Sequence, residues 1–261
     1  MSLQNKIAVV TGGSRGLGKD MVLSLAKNGL DIVFTYNSQK EAADAVIKQI
    51  EALGQKGIAL QFDVSDLTTL NEFTKRLTNE LLSHFNTDKF DFLINNAGFI
   101  HYSDFETITE AQFTEMENVH LKGPFFLTQK LLPHINSFGG IVNVSSGLTR
   151  FATPGFAAYA ALKGAVETLT KYQAKELGKR NIRVNVIAPG AIETDIMGGA
   201  VRDNPEMNKH LASQTALGRV GRRKMLEALL HSYAVMLQPG SMRNGSKFRE
   251  VPIFNTTRLP H

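Results

Sequence analysis

A tyrosine and a lysine at positions 159 and 163 have a spacing that suits acid–base chemistry. On a helix, residues four apart project from the same face, so the Lys163 ammonium would lie beside the Tyr159 phenol. A tyrosine hydroxyl has a reference pKa of about 10, and a fixed cation beside it favours the phenolate. Tyr159 is therefore a candidate general acid/base, although the spacing alone also fits an ordinary amphipathic helix face.

Ser146 stands thirteen residues before that tyrosine. It follows the apolar run 141–144, which the sequence predicts to be a strand. From the end of such a strand, its hydroxyl could hold a substrate oxygen beside the phenol.

A glycine-rich turn, GGSRGLG at 12–18, follows a short apolar strand predicted at 6–11 and precedes a helical pattern. Glycines at a strand-to-helix turn let the backbone approach a pyrophosphate, which the free N–H groups and the dipole of the helix then stabilise. In this position the turn favours dinucleotide binding over a tight turn without a ligand.

Strands and helices alternate along the chain up to residue 221. Further strands are predicted at 31–36, 57–61, 90–94, 141–144 and 183–188, and helices at 40–53, 68–85, 110–136 and up to 177. This alternation predicts an α/β fold with a parallel sheet covered on both faces. With no repeat or linker, residues 1–221 read as one domain.

The ends of the second, third and fourth predicted strands carry candidate cofactor contacts. The second ends at Asn37 with no carboxylate to repel a 2′-phosphate, and Arg15 could pair with that phosphate, so the sequence favours NADP over NAD. After the third strand, Asp63 and Val64 could meet the adenine. The fourth ends in NNAG at 95–98, where ligands bind in this architecture.

Composition excludes several classes of site and partner. The chain has no cysteine, and its seven histidines are scattered, so no metal site is predicted. No apolar run approaches membrane-span length and the N-terminus lacks a signal-peptide pattern, so we expect a soluble cytoplasmic protein with no membrane partner. The net charge of +5 arises entirely after residue 221, since the preceding residues carry 22 basic and 22 acidic groups. We therefore predict no nucleic-acid partner.

Together these motifs resemble the short-chain dehydrogenase/reductase family: TGGSRGLG at 11–18, DV at 63–64, NNAG at 95–98, Ser146, Tyr159, Lys163 and PGAIET at 189–194. The resemblance covers residues 5–221. It implies a Rossmann-type, doubly wound parallel sheet and hydride transfer between NADP(H) and a small-molecule carbonyl or secondary alcohol. It also implies a homo-oligomer, usually a tetramer.

The resemblance further implies a role for each residue. Tyr159 would donate the proton, Ser146 would hold the developing alkoxide, and Lys163 would lower the tyrosine pKa and hold the nicotinamide ribose. The cofactor contacts it implies, with those proposed above for the strand ends, are Gly12, Ser14, Arg15, Gly16, Leu17, Gly18, Asn37, Asp63, Val64, Asn95, Ala97, Gly98, Tyr159, Lys163, Pro189, Gly190, Ile192 and Thr194.

His120 departs from the family pattern, which usually has asparagine at this position to order a water that leads from the lysine to solvent. An imidazole can also bind that water or pass protons itself. We therefore count His120 among the catalytic candidates, in a working relay with an altered pH profile.

The tail does not fit the family, whose members end in a helix opening PED or PEE and a strand reading roughly ITGxxxxVDGG. Starting each codon of residues 223–251 one base earlier permits PEDVGSVVAFLCSDASTWINAQRIEVSGG. Our hypothesis is that one base was lost near codon 222 or 223, which makes residues 222–261 an anomalous tail. The alternative is a divergent genuine tail. In either case the tail makes the implied oligomer doubtful.

Two other functions remain open at this point. A β-ketoacyl-acyl-carrier-protein reductase would share every motif, but would need a basic surface at the mouth of the site. A catalytically silent NADP(H)-binding sensor would bind the cofactor without turning it over. The apolar side chains predicted to line the substrate pocket, Phe99, Tyr102, Leu148, Phe151, Phe156 and Met197, do not distinguish among substrates. Residues 195–214, with glycines at 198 and 199, are the predicted lid.

Overall fold

The structure, a computed structural model, describes residues 5–193, 196–213, 215 and 217–221. One six-stranded parallel sheet runs through this part of the chain, with the strand order β3-β2-β1-β4-β5-β6. The strands are β1 (Ile7–Val10), β2 (Asp31–Tyr36), β3 (Gly57–Gln61), β4 (Phe90–Asn95), β5 (Ile135–Val144) and β6 (Arg183–Ile187). The predicted α/β fold with a doubly wound parallel sheet is confirmed.

The helices are α1 (Gly16–Lys27), α2 (Lys40–Ala52), α3 (Leu70–Phe85), α4 (Glu110–Glu117), α5 (Gly123–Leu131), α6 (Ala157–Leu177), α7 (Ala200–Asp203) and α8 (Pro205–Ser213). Helices α1 to α6 connect successive strands, and α7 and α8 follow β6. Crossovers of this kind are what parallel strands require, because a short hairpin cannot join their ends.

Alternate residues of the strands fill two separate cores. In β1, Ala8 and Val10 face α1 and α2, whereas Ile7 and Val9 face α3 and α5. Successive side chains of a strand point to opposite faces, so a run such as IAVV is buried throughout only when both faces are covered. The carboxyl ends of the parallel strands therefore lie together on one side of a sheet that is packed on both faces.

The predicted helix at 110–136 is interrupted. A π-helical segment, Asn118–Lys122, separates α4 from α5, and a 3₁₀ turn, Leu132–His134, follows α5. Pro124 and Pro133 stand at the starts of α5 and of the 3₁₀ turn, where a missing N–H is tolerated and the preceding hydrogen-bond pattern is broken. Strand β5 then begins at Ile135 instead of 141, with an irregular register opposite Phe90 and Phe92.

A chain of polar side chains crosses the interior between β4, β5 and α6. The Asn95 amide donates to Asn143 Oδ1 at 2.8 Å and to Thr128 Oγ1 at 3.0 Å. The Asn143 amide donates in turn to Thr170 Oγ1 and Gln173 Oε1, both at 2.9 Å. These bonds satisfy buried polar groups that would otherwise destabilise the core.

The anomalous tail predicted at 222–261 lies outside the described residues. Within the described part of the chain, β6 pairs only with β5, and Gly221 forms one parallel bridge with Ile192.

Candidate active site

Helix α6 carries Tyr159 and Lys163 on one face, as the spacing predicted. Both side chains are buried, with 7% of Tyr159 and 4% of Lys163 exposed. The Lys163 ammonium donates to the Val144 carbonyl at 2.8 Å and lies 5.6 Å from the centre of the Tyr159 ring. Strand β5 and helix α6 thus hold the two groups side by side.

Ser146 reaches the same place from the end of β5. Its hydroxyl oxygen accepts the Leu148 N–H at 3.2 Å and caps a short 3₁₀ turn, Gly147–Thr149. The same hydroxyl lies close enough to the Tyr159 phenol to lower its pKa. The structure therefore brings the serine, tyrosine and lysine of the prediction together.

The shift in the tyrosine pKa runs opposite to the sequence expectation. Burial raises the pKa of Tyr159 to about 12, because a phenolate would lose its water, and the hydrogen bond from Ser146 offsets only part of that rise. Burial also lowers the pKa of Lys163 to about 7, which weakens the cation that was expected to stabilise the phenolate. In this arrangement Tyr159 keeps its proton at neutral pH and is suited to act as an acid.

His120 lies in the π-helical segment and packs edge-on against Tyr159, with the ring centres 5.1 Å apart. Only 1% of the side chain is exposed. Its Nε2 is 2.6 Å from the Phe99 carbonyl, which can only accept, so Nε2 carries the proton. Nδ1 is then a bare acceptor, and it has no hydrogen-bond partner among the described residues.

Burial, helped by the charge of Lys163, lowers the pKa of His120 to about 3. The imidazole is therefore neutral at any working pH. The sequence left two roles open for His120, binding a water and passing protons. A neutral imidazole with a bare Nδ1 favours the first.

Apolar side chains pack around Tyr159 and at the start of α6. Phe99 and Leu148 pack around Tyr159, and Phe156 caps the start of α6. Tyr102 is 59% exposed and meets the Phe156 ring edge-on at 5.3 Å. Phe151 is 39% exposed, and the lining of a substrate pocket by these side chains stays a prediction. The sixth predicted member, Met197, has a side chain outside the described residues.

The glycine turn lies where β1 ends, beside β4. Gly12 has φ +69, and a Cβ there would approach the Ala97 backbone at 3.0 Å, so only glycine fits. Arg15 is the N-cap residue of α1, and its side chain makes no capping hydrogen bond to the helix. The first-turn N–H groups of α1 consequently receive no side-chain cap, which is the arrangement that binds anions.

Comparison with known proteins decides the family. A family model described as short chain dehydrogenase matches residues 6–205. The chain belongs to the short-chain dehydrogenase family. It is accordingly an oxidoreductase of the CH–OH/C=O class.

Individual relatives agree with this assignment. An uncharacterized oxidoreductase of Methylorubrum extorquens is 37% identical over 220 residues, which cover 84% of this chain and 86% of that protein. The 3-oxoacyl-acyl-carrier-protein reductase FabG of Staphylococcus aureus is 36% identical over 219 residues, 83% of this chain and 85% of that protein. A solved short chain dehydrogenase from Burkholderia cenocepacia in complex with NADP has 33% identity and a TM-score of 0.81, covering 92% of this chain and 94% of that one.

The residues present fit the nicotinamide cofactor that short-chain dehydrogenases use. The strand order reverses between β1 and β4, and ligands of doubly wound sheets bind at the carboxyl ends of the strands at such a switch point. At that edge lie the uncapped α1 N-terminus, the glycine turn and the Tyr159–Lys163 pair. The predicted contacts Ser14, Gly16, Leu17 and Gly18 belong to the same turn and first helical residues.

The predicted adenosine contacts follow β2 and β3, apart from Arg15, which precedes α1. Asn37 and Arg15 are exposed. The Asp63 carboxylate accepts the N–H of Ser65 at 2.9 Å and its hydroxyl at 2.7 Å, whereas the Val64 side chain is buried. Both strand ends therefore present an exposed polar side chain, Asn37 after β2 and Asp63 after β3.

At the end of β4, the Asn95 amide is already used inside the sheet, and its Oδ1 is buried with no partner in the described chain. Ala97 N–H donates to Thr11 Oγ1 at 3.0 Å. Gly98 is exposed, and a Cβ there would lie 2.7 Å from Cε1 of the His120 ring. Sequence reasoning did not single out Thr11, although its place directly before the glycine turn was a usable signal.

At the end of β6, the Pro189 carbonyl accepts the Gly147 N–H at 2.9 Å, which ties this loop to the serine turn. Gly190 follows, and Ile192 is buried. Thr194 lies outside the described residues. In the predicted lid, Gly198 and Gly199 have φ +68 and +86, so the chain turns sharply at the predicted hinge.

Two negative findings apply to the described ranges. No group of three or more potential metal-binding side chains occurs in them. None of their helices has the length and apolar character needed to span a bilayer.

Proposed function

We propose that the protein transfers hydride between NADP(H) and a carbonyl or secondary-alcohol substrate, with Tyr159 as the acid/base. The observation that carries the proposal is the buried Tyr159 phenol, which keeps its proton at neutral pH and lies beside Ser146 and Lys163. A protonated phenol favours the direction of carbonyl reduction, in which the substrate oxygen must gain a proton.

When bound, NADPH supplies the hydride that reaches the carbonyl carbon. Ser146 donates a hydrogen bond to the carbonyl oxygen and so stabilises the negative charge that develops there. Tyr159 transfers its phenolic proton to that oxygen, which completes the alcohol. Lys163, with a pKa of about 7, can return a proton to the tyrosinate and recover one from solvent near neutral pH. The bare Nδ1 of His120 offers an acceptor for a water beside this pair.

Preference for NADP(H) over NAD(H) is part of the proposal. Arg15 is exposed at the start of α1, and the end of β2 presents Asn37 instead of a carboxylate. A guanidinium pairs well with a phosphate, and no acidic side chain stands at the strand end to repel it. The NADP bound to the Burkholderia cenocepacia relative supports the same preference.

The test is the absorbance of NADPH at 340 nm, followed with the purified chain and a panel of neutral ketones, aromatic ketones and β-ketoacyl thioesters. Oxidation that depends on one of these carbonyls, and is weaker with NADH, supports the proposal. If NADPH binds but none is oxidised across the panel, the alternative of a silent NADP(H)-binding sensor is favoured.

A second candidate, β-ketoacyl-acyl-carrier-protein reductase, is favoured by the 36% identity to FabG of Staphylococcus aureus. The panel separates the two candidates. A much higher kcat/KM for the β-ketoacyl group on a carrier protein than on a short thioester would favour this function, whereas equal values would favour a small-molecule reductase.

A homo-oligomer, the family expectation, is proposed on the apolar surface of α5. Phe125 and Phe126 are both about two-fifths exposed there. Rings in contact with water on one helix suit an interface between copies of this chain. Light scattering on the purified protein measures the oligomeric state.

For residues 223–261 we propose an out-of-frame translation of the family's last helix and strand. The support is the whole string PEDVGSVVAFLCSDASTWINAQRIEVSGG, which a one-base shift permits over 223–251. A DNA read of the coding region from the codon of Leu217 to the stop tests it. A clean frame would establish the tail as genuine.

A further inference from the structure

The turn that carries Ser146 is held by a carboxylate on the facing helix. Ser145 Oγ and Thr149 Oγ1, which flank the catalytic serine, both donate to Oε1 of Glu167 at 2.8 Å. Ser145 Oγ also lies 3.2 Å from the Lys163 carbonyl oxygen, to which it can donate. One carboxylate oxygen therefore joins both ends of the serine turn to α6.

Glu167 shares a helical face with the two catalytic side chains. Tyr159, Lys163 and Glu167 follow one another at intervals of four residues on α6, so they project in one direction. Any movement of α6 therefore carries the phenol and the carboxylate together. Because the Glu167 carboxylate is hydrogen-bonded to the serine turn, Ser146 is expected to move with Tyr159 and Glu167.

The other contacts of the turn lead elsewhere. Ser145 N–H donates to the Ile187 carbonyl at 2.6 Å, and Gly147 N–H donates to Pro189 at 2.9 Å, which attach the turn to the end of β6. The bond from Leu148 N–H to Ser146 Oγ stays within the turn. Apart from the contact of Ser146 with Tyr159 itself, the side-chain hydrogen bonds that join the turn to α6 among the described residues are those of Ser145 and Thr149.

We propose that Glu167 is a positioning residue, which fixes the distance between the Ser146 and Tyr159 hydroxyls for carbonyl reduction. The inference rests on the proposed function. Two donors that converge on the substrate oxygen must keep their separation, and a displacement of about 1 Å can cost on the order of 100-fold in rate. Glu167 itself touches neither hydroxyl.

The chain offers a matched set of variants. Glu167→Gln keeps an Oε1 acceptor for both hydroxyls, because each needs only an oxygen lone pair. Glu167→Ala removes it. Thr149→Val keeps the shape of one donor but removes its hydroxyl, which donates to the Ser146 carbonyl at 2.9 Å as well as to Glu167. Glu176→Ala removes an exposed carboxylate from the same helix as a control.

The measurements are kcat and KM for the best carbonyl of the panel, NADPH binding by fluorescence, and thermal unfolding. We expect Glu167→Ala to lower kcat by about 10- to 100-fold and Thr149→Val by about 3- to 10-fold, with NADPH binding within twofold of wild type. Glu167→Gln should stay within about threefold in kcat, like Glu176→Ala. Equal losses in Glu167→Gln and Glu167→Ala, or a Glu167→Ala enzyme within twofold of wild type, would overturn the proposal.

Crystal structures of the wild type and the two Glu167 variants give a readout that does not depend on activity. The Ser146–Tyr159 hydroxyl distance should be unchanged in Glu167→Gln and longer in Glu167→Ala. If the wild type oxidises NADPH with no carbonyl, the proposed function fails while this distance still decides the role of Glu167. Should Glu167→Ala not fold, kcat and the Ser146–Tyr159 hydroxyl distance are compared between wild type and Thr149→Val. A wild-type kcat with an unchanged distance in Thr149→Val would then contradict the proposal.

Discussion

Tyr159, Lys163 and His120 lie within one buried group, and loss of water is the largest influence on the pKa of each. For the tyrosine it outweighs the hydrogen bond from Ser146, and for the histidine it outweighs the bond to the Phe99 carbonyl. Each side chain is therefore biased toward its uncharged form. A neutral acid beside a neutral imidazole suits a reaction in which charge appears only as the hydride arrives.

Replacing Tyr159 with phenylalanine should lower kcat for carbonyl reduction by about 1000-fold, because the variant has no proton to donate. NADPH binding should change by less than about threefold, since the ring remains in place. Stopped-flow or steady-state absorbance at 340 nm measures the rate, and fluorescence titration measures the binding. A variant that retained a tenth of the wild-type kcat would show that another group donates the proton.

His120 should make the protein less stable in acid. Its pKa is about 3 when folded and about 6.5 when unfolded, so the unfolded chain takes up a proton first as the pH falls. Stability due to this residue is thus complete above about pH 6.5 and is lost toward pH 3. Between pH 7.5 and pH 5 the loss amounts to about 2 kcal/mol.

Urea unfolding of the wild type and His120→Asn at several pH values measures this effect. Asparagine does not titrate, so the difference in unfolding free energy between the two proteins should move by about 2 kcal/mol in favour of the variant as the pH falls from 7.5 to 5. A difference that is independent of pH would mean that the buried imidazole titrates normally.

Spacing alone could place Tyr159 beside Lys163, since a helix fixes where residues four apart point. It could not give the direction of the tyrosine pKa shift, because that depends on how much water the folded chain removes. Nor did it reveal Glu167, although the same interval of four residues beyond Lys163 was visible in the sequence.

At the scale of elements, the proposed binding of the NADP phosphate rests on helix α1 and strand β2. Arg15 stands at the first turn of α1, and Asn37 follows β2. The charge on Arg15 and the positive end of the helix dipole act in the same direction on an anion. The proposed preference for NADPH should therefore depend on this one side chain.

Arg15→Ala should raise KM for NADPH by about 10-fold and leave KM for NADH within about twofold, since a charge-assisted hydrogen bond contributes about 1.5–3 kcal/mol. Initial rates with each cofactor provide the comparison, and Arg15→Lys serves as the matched control that keeps the charge. If both KM values rose together, Arg15 would contact a part that the two cofactors share.

The interruption of the helix between β4 and β5 could not be predicted from the pattern of apolar residues. Apolar residues continue with helical spacing from 110 to 136, so a single helix was the natural prediction. The π-helical segment depends on tertiary contacts, such as the bond between His120 and the Phe99 carbonyl, which periodicity does not encode. The α/β order and nearly all strand positions were predictable because buried parallel strands are continuously apolar.

For the whole molecule, the important feature is the outer edge of β6. Within the described residues this strand pairs on one side only, with β5, and Val184 and Ile187 are buried in it. An apolar strand with a free edge invites pairing with other chains. Under the hypothesis of a lost base, the repaired chain would place the family's last helix and strand at this edge.

A chain in which residues 223–251 are replaced by PEDVGSVVAFLCSDASTWINAQRIEVSGG should melt at least about 5 °C above the given chain, because covering the β6 edge buries apolar surface. It should also elute as a larger, uniform oligomer. Calorimetry and size-exclusion chromatography with light scattering measure both. If the given chain were equally stable and uniform, its tail would be genuine.

The paired amides of Asn95 and Asn143 have a consequence for how the chain finds its fold. The two residues are direct neighbours across β4 and β5 only in the native alignment of the strands. A slip of one residue would turn the Asn143 side chain to the opposite face, away from Asn95, Thr170 and Gln173. Each buried amide left without a hydrogen-bond partner destabilises the shifted form by about 1–3 kcal/mol. Apolar neighbours such as Ile141 and Val142 would tolerate a shifted alignment. The two asparagines therefore favour the native register of β4 and β5 over shifted ones.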